Sequence, residues 1–146
     1  MRSPLLAVLL LAAPPALASG SQTDPDVASL YVLSTEGSTT VLKAGQPGTF
    51  VLSIRTTAGA HISEDAPMKL SVTGSGGVQP GKSLLSRSDA KPLPKPTGPA
   101  DPRFEVPLTA SSKGQGAVEA KLTFFVCTDT LCSRQQRTVS LPVTVD

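Results

Sequence analysis

Apolar and polar side chains alternate along several short stretches of this chain, most clearly between residues 117 and 127. One face of that stretch is apolar and consists of Val118, Ala120, Leu122, Phe124 and Val126. The stretch 133–145 repeats the pattern with Val139, Leu141, Val143 and Val145 on its apolar face. A period of two is typical of a half-buried strand, and the short connection between the stretches predicts a β-hairpin.

Shorter stretches of strand character precede this hairpin. They are residues 28–34, two segments on either side of "AGQPG", 68–74, 78–85 and 103–110. Gly-rich and Pro-rich turns separate most of them, and no segment has the period of an amphipathic helix. Seven or eight short strands predict an all-β fold, an immunoglobulin-like antiparallel β-sandwich that covers residues 28–146.

A Pro-rich stretch, residues 86–102, interrupts this alternation. It contains five prolines and little apolar content, so it predicts neither a helix nor a central strand. We expect a long exposed loop, partly polyproline-like, which is a place for contact with a partner.

The N-terminus has the features of an export signal. Arg2 precedes an apolar run, Leu5–Leu11, that is too short to span a bilayer, and Ala16–Leu17–Ala18 has the small-x-small pattern of a cleavage site. We expect residues 1–18 to be removed, residues 19–27 to form a flexible leader and the mature domain to be periplasmic or secreted. No later run is long enough to span a membrane.

Charge and residue types exclude several classes of function. The formal charge is +2, which gives no electrostatic basis for binding nucleic acid. With one histidine in a loop, a Ser-His-acid triad is not supported, and no phosphate-binding Gly loop is present. A structural zinc site normally needs four ligands, whereas the chain has two cysteines and one histidine. We therefore predict no cofactor and no resident metal.

The two cysteines, Cys127 and Cys132, are the main candidates for chemistry. If neither strand of the hairpin bulges, both lie on its outer, polar face. Export to an oxidising compartment favours a disulfide between them. Closing so small a ring contributes about 2 kcal/mol, against about 4.7 for a long loop. The residues alone leave three interpretations open: a structural clip, a labile redox pair, or a metal-binding thiol pair.

Four other residues could modify that chemistry. His61 could tune a thiolate or bind metal, and with Met68 and a thiol it could form a copper site; otherwise it is a surface histidine. Arg134 and Arg137 follow Cys132 and would favour a thiolate, unless they are ordinary solvated charges.

Four stretches together resemble a known family. They are "GTFVLSI" with "AGAHISEDAPMKLSV", "FEVPLTA" with "GAVEAKLTFFVC", "CTDTLC" and "RTVSLPVTV". In order and spacing, from about Gly45 to the C-terminus, they resemble the N-terminal periplasmic domain of the thiol:disulfide interchange protein family DsbD.

The resemblance implies an immunoglobulin-like fold and a redox role. Cys127 and Cys132 would be the redox disulfide, and Asp129 would occupy the acidic position between them that tunes the pair. The partners implied are exported thioredoxin-like proteins or a membrane thiol reductase. We therefore expect a thiol-disulfide exchange module, with a non-catalytic immunoglobulin-like binding domain, in which the disulfide clips the hairpin, as the alternative.

Overall fold

The computed structural model describes residues 25–146, and their side chains from residue 27 onward. A single helical turn comes first, α1 (Pro25–Ala28). Eleven strands follow: β1 (Tyr31–Ser34), β2 (Val41–Leu42), β3 (Gly48–Thr56), β4 (His61–Ile62), β5 (Lys69–Ser75), β6 (Val78–Pro80), β7 (Leu84–Ser86), β8 (Lys91–Pro92), β9 (Pro102–Ala110), β10 (Gly114–Cys127) and β11 (Cys132–Val145). A 3-10 turn at Arg87–Asp89 lies between β7 and β8.

The strands form two sheets that pack face to face. Sheet I has the order β1-β3-β9-β6, with β8 also paired to β9. Sheet II has the order β2-β11-β10-β5-β7, with β4 also paired to β10. All pairs are antiparallel except β2 with β11. This two-sheet arrangement confirms the predicted all-β, immunoglobulin-like sandwich.

The core consists of the inner faces of both sheets, as the alternating pattern predicts. The largest fully buried side chains include Phe50, Phe104, Phe124, Leu52, Leu70 and Leu122. The predicted inner face of β10 is buried throughout, from Val118 to Val126. The β10–β11 register runs without interruption from Gly114 opposite Val145 to Cys127 opposite Cys132, so no bulge reverses the predicted faces.

The strand count exceeds the seven or eight predicted, for two physical reasons. The predicted strand 78–85 is two strands, because the chain leaves sheet I after Pro80 and joins sheet II at Leu84. β4 and β8 are only two residues long, and a two-residue strand has no periodicity that a sequence pattern could reveal.

Residues 19–24 of the predicted flexible leader, residues 19–27, lie outside the described residues, so the leader stays a prediction. The α1 turn lies partly within that range, and Val27 packs into the core because its side chain fills space beside the sandwich. The predicted signal peptide, residues 1–18, lies outside the described residues. Within residues 25–146, no helix has the length and apolar character needed to cross a membrane.

The Pro-rich segment 86–102 is largely exposed, as its composition predicts, but it contains the short strand β8 and is anchored at a few buried positions. Leu93 is buried, and so is Asp101, whose side chain accepts hydrogen bonds that fasten the segment to sheet I. Composition does not predict this attachment. It indicates a polar segment with restricted backbone angles but cannot show that one carboxylate is buried against another strand.

Candidate functional site

The tip of the β10–β11 hairpin carries the Cys127–Cys132 disulfide. The two residues lie directly opposite each other, with Cα atoms 4.0 Å apart and an S–S distance of 2.02 Å. Thr128 N–H donates to Leu131 C=O (2.7 Å) and closes the four-residue turn. Both cysteines lie on the outer face of sheet II, as the alternation predicts, so the bond joins neighbouring strands and does not cross the core.

The two cysteines differ in their access to solvent. Cys127 is only 3% exposed, because β10 is covered on both edges at this point, by β11 and by β4. Cys132 is exposed, since it lies on β11 where no further strand is paired. The neighbouring Leu131 is 49% exposed. A reagent in solution therefore reaches the sulfur of Cys132 more easily than that of Cys127.

His61 is the cross-strand neighbour of Cys127 on β4. Directly opposite residues share a face of the sheet, so His61, Cys127 and Cys132 form a row across three adjacent strands. The sequence placed His61 in a connection, because β4 is too short to recognise. The main-chain N–H of Ser63 donates to Phe125 C=O (2.9 Å) and continues the pairing of β4 with β10.

The other residues predicted to influence the disulfide lie elsewhere. Asp129 is exposed in the turn and has no hydrogen bond or ion pair with another described side chain, so its tuning role stays a prediction. Met68 is a buried core residue, 4% exposed, whereas His61 is exposed on the outer face. Within residues 25–146 no group of three His, Cys, Asp or Glu side chains could hold a metal ion.

Arg137 lies on the inner face of β11, away from the disulfide. Its Nε donates to the hydroxyl of Tyr31 (2.6 Å), and its guanidinium lies 5.6 Å from the centre of that ring. The Tyr31 hydroxyl donates in turn to Gln135 Oε1 (3.0 Å), and the ring makes an edge contact with Phe124. Arg137 thus joins the two sheets, and only Arg134 lies on the face that carries the sulfurs.

A second site, the basic cleft, lies on the outer face of sheet I and has a volume of about 500 Å³. It is lined by Val32, Ser34, Glu36, Gly37, Ser53, Arg55, Leu93, Pro94, Lys95 and Arg103. The Pro-rich segment forms one wall, and the turn after β1 forms another. Three of the lining residues are basic and one is acidic.

Asp101 holds the wall of the basic cleft in place. Its Oδ1 accepts from the Thr56 hydroxyl (2.6 Å) and main-chain N–H (3.2 Å), and its Oδ2 accepts from the N–H groups of Thr97 and Gly98 (3.0 Å each). A Cβ at Gly98 would lie 2.3 Å from Thr56 Oγ1, so this close approach requires glycine. The segment is therefore fixed at both β3 and its own turn.

Hydrogen bonds and ion pairs also order the cationic side chains of the basic cleft. Arg55 donates from Nη1 to the main-chain oxygen of Lys95. Arg103 Nε donates to Glu105 (3.0 Å), which also accepts from Lys91 Nζ (2.8 Å). The hydrogen bond from Lys91, which has the larger effect, and that from Arg103 lower the pKa of Glu105 below its ordinary value of 4.5.

The basic cleft is not among the features that the sequence pattern predicts. Alternation along β3 places Arg55 on the outer face with Ser53, and Arg103 begins the predicted strand 103–110. What brings these arginines together is the β3–β9 register, in which Ser53 lies opposite Arg103. Strand pairing joins residues that are distant in sequence. The alternation pattern therefore predicts the face on which each arginine lies but not that the two arginines are close together.

Comparison with known proteins yields structural likeness only. No protein-family profile and no curated protein sequence matches the chain. Similar solved structures include E. coli alpha-2-macroglobulin (16% identity, TM-score 0.44), a cohesin module from a Clostridium perfringens family 33 glycoside hydrolase (10%, 0.42) and domains 4 and 5 of the S-layer protein SbsC (14%, 0.40). The match with alpha-2-macroglobulin covers 80% of this chain and 7% of that protein. The match with the cohesin module covers 80% of this chain and 95% of the module, and that with the S-layer domains covers 78% of this chain and 50% of theirs. At these scores the likenesses carry no argument about function.

Proposed function

We propose that this chain is a non-catalytic immunoglobulin-like binding domain, exported to the periplasm or beyond. The observation that carries the proposal is the fixed Pro-rich wall of the basic cleft. Asp101 is buried and accepts four hydrogen bonds to hold a segment whose composition alone predicts an exposed loop. A fixed wall loses little conformational entropy when a partner binds, which favours recognition.

In this function the disulfide is a structural clip. β10 is paired on both sides along much of its length, whereas near the hairpin tip its second partner among the described residues is the short strand β4 with the following Ser63. A bond between Cys127 and Cys132 prevents the tip from fraying. Because the ring is small, the clip contributes about 2 kcal/mol and acts locally.

A second function, thiol-disulfide exchange, is favoured by the unequal exposure of the two cysteines. A partner thiolate would attack the exposed sulfur of Cys132, the S–S bond would break, and its electron pair would leave on Cys127 beside His61. A second partner thiol would then attack the mixed disulfide and release Cys132 as a thiolate. The partner dithiol would become a disulfide and this domain a dithiol. The resemblance to the DsbD family supports this function and its exported thiol partners.

The reduction potential of the Cys127–Cys132 bond separates the two functions. The domain would be equilibrated in thiol/disulfide buffers, its free thiols alkylated, and the labelled fraction measured by mass spectrometry. A binding domain with a clip is expected to have a midpoint below about −300 mV, which is typical of structural disulfides. A midpoint above about −250 mV would contradict the clip and favour exchange.

Trapping in cells gives an independent result. In a Cys127→Ser variant, any partner attacked by Cys132 would remain as a mixed disulfide that a gel without reductant resolves. We expect none beyond the level seen with Cys132→Ser, in which the buried Cys127 is the remaining thiol. A specific adduct in Cys127→Ser alone would refute the non-catalytic function.

A further inference from the structure

We propose that the basic cleft and the free edge of β1 together bind an extended acidic peptide segment of a partner protein. This inference rests on the proposed binding function and specifies the ligand class. Two independent features carry it: uncompensated positive charge in the cleft, and unpaired main-chain groups on the strand that borders it.

Three cationic side chains line the basic cleft against one carboxylate, Glu36, so its positive charge exceeds its negative charge. Arg55 and Lys95 have no carboxylate partner among the described residues, and Arg103 shares the single carboxylate of Glu105 with Lys91. The Arg55 guanidinium uses one donor on the main-chain oxygen of Lys95 and keeps its others. A guanidinium with free N–H groups can donate two parallel hydrogen bonds to one carboxylate.

The strand register places Arg55 on β3, directly beside β1, and Arg103 on β9, one strand further from the β1 edge. On the outer face of sheet I, Val32 lies opposite Arg55, and Ser34 lies opposite Ser53, which lies opposite Arg103. The side chains between the arginines and the edge are thus Val32, Ser34 and Ser53, all short. A strand added beside β1 would lie about 10 Å from β3, a gap that a Glu and an Arg side chain can bridge.

The edge of β1 offers main-chain groups for that added strand. Thr57 N–H donates to Leu30 C=O (2.9 Å), so alternation of the ladder leaves the N–H and C=O of Tyr31 and Leu33 pointing away from β3. No described residue pairs with them. An incoming strand bonded at Tyr31 and Leu33 would place alternate side chains beside Val32 and Ser34, at the mouth of the cleft.

The lining chemistry fits a peptide better than a sugar or a nucleic acid. None of the residues that line the cleft is aromatic, whereas sugars and bases are commonly held by stacking on aromatic rings. Val32 is 60% exposed and, with Leu93 and Pro94, supplies an apolar contact for the methylene groups of the acidic peptide side chains, which lie on the same face. In a peptide of alternating acidic and β-branched residues, the acidic side chains would pair with the arginines of the cleft. The β-branched residues would favour the extended strand that pairs with β1.

The test uses a fluorescein-labelled heptapeptide of alternating Glu and Val, with binding measured by fluorescence anisotropy on the oxidised domain. We expect saturable binding that weakens between about 20 and 500 mM NaCl, because the salt screens the ion pairs. The matched Gln/Val peptide should bind at least about tenfold more weakly. A peptide N-methylated at the amides that face β1 should also lose binding, since its charge is unchanged but its main-chain donors are removed.

Matched variants locate the site. Arg55→Gln should weaken binding of the acidic peptide about tenfold. Arg134→Gln removes the same charge from the outer face of sheet II and should leave the affinity unchanged. Thermal unfolding of both variants would establish that the fold is intact.

The proposal would be overturned by no binding at low salt, by equal loss of affinity in both variants, or by equal binding of the N-methylated peptide. Displacement by glutarate at concentrations equal to the peptide would likewise overturn it, because a small dicarboxylate would then suffice. These failures are distinguishable from failure of the binding function, which the reduction potential and the trapping experiment test separately.

Discussion

At the scale of single residues, Asp101 is the clearest determinant of the architecture around the basic cleft. Asp101→Ala removes the acceptor for three main-chain N–H groups and one hydroxyl, some of them buried. We expect the free energy of unfolding to fall by about 2–3 kcal/mol, because buried donors are left unpaired. Urea denaturation measures the loss.

The control is Asp129→Ala in the exposed hairpin turn, where we expect a change within about 0.5 kcal/mol. Limited proteolysis adds a local readout: segment 86–102 should be cleaved in Asp101→Ala under conditions in which the wild-type domain resists. Equal stability of the two variants would show that the carboxylate does not hold the segment.

Residue identity predicted the faces of the long strands correctly and the roles of single polar residues poorly. Cys127 and Cys132 lie on the predicted face because the pleat requires only local alternation. The role of Arg137 was predicted wrongly and that of Asp101 was not predicted, because their partners, Tyr31 and Thr56, are far away in sequence. Polar contacts between distant residues leave no periodic signal in the sequence. Arg137 is therefore close to the disulfide in sequence but lies on the opposite face of the sheet.

At the scale of elements, β11 is an edge strand over most of its length. β2 pairs only with Thr144 and Val145, so the N–H and C=O groups of alternate residues from Cys132 to Ser140 have no main-chain partner among the described residues. The C=O of Arg134 accepts a hydrogen bond from Gln135 Nε2 (3.1 Å). Such edges favour association between chains, and charged side chains are a common protection. Arg134 on the outer face provides such a charge.

Arg134→Val should therefore promote association, because it replaces a charge on a free edge with a β-branched apolar residue. We expect the weight-average sedimentation coefficient to rise with protein concentration more steeply than for the wild type. Lys121→Val is the matched control: it makes the same type of change on the same face, but on β10, which is paired on both sides there. Equal association of both variants would indicate general surface hydrophobicity instead.

At the scale of the whole molecule, the sandwich is closed by segments that cross between its layers. The chain passes from sheet II to sheet I through Gly76 and Gly77, both at positive φ, and returns after Pro80. Composition and alternation predicted the two-layer class, since apolar residues on one face of each strand require a second sheet. They could not predict which strands are neighbours, because pairing depends on contacts between distant segments.

Ion pairs on the outer surface make the stability of the whole domain depend on pH. The Lys91 and Arg103 contacts lower the pKa of Glu105, and the Lys82 contact lowers the pKa of Asp89. Because both folded-state pKa values lie below the ordinary ones, these pairs stabilise the fold fully at pH values above the ordinary carboxylate pKa. The contribution is lost as the pH falls through the folded-state values, so the urea midpoint should decrease from neutral pH to about pH 3.

A double-mutant comparison isolates the part due to Glu105, which links β8 to β9 through Lys91. Glu105→Gln should reduce the dependence of the midpoint on pH, because glutamine does not titrate. In a Lys91→Gln background the same substitution should have a smaller effect, since the hydrogen bond from Lys91, which lowers the pKa of Glu105 most, is already absent. An identical effect in both backgrounds would show that Lys91 does not stabilise the carboxylate, and the acid sensitivity would then depend on the remaining pairs.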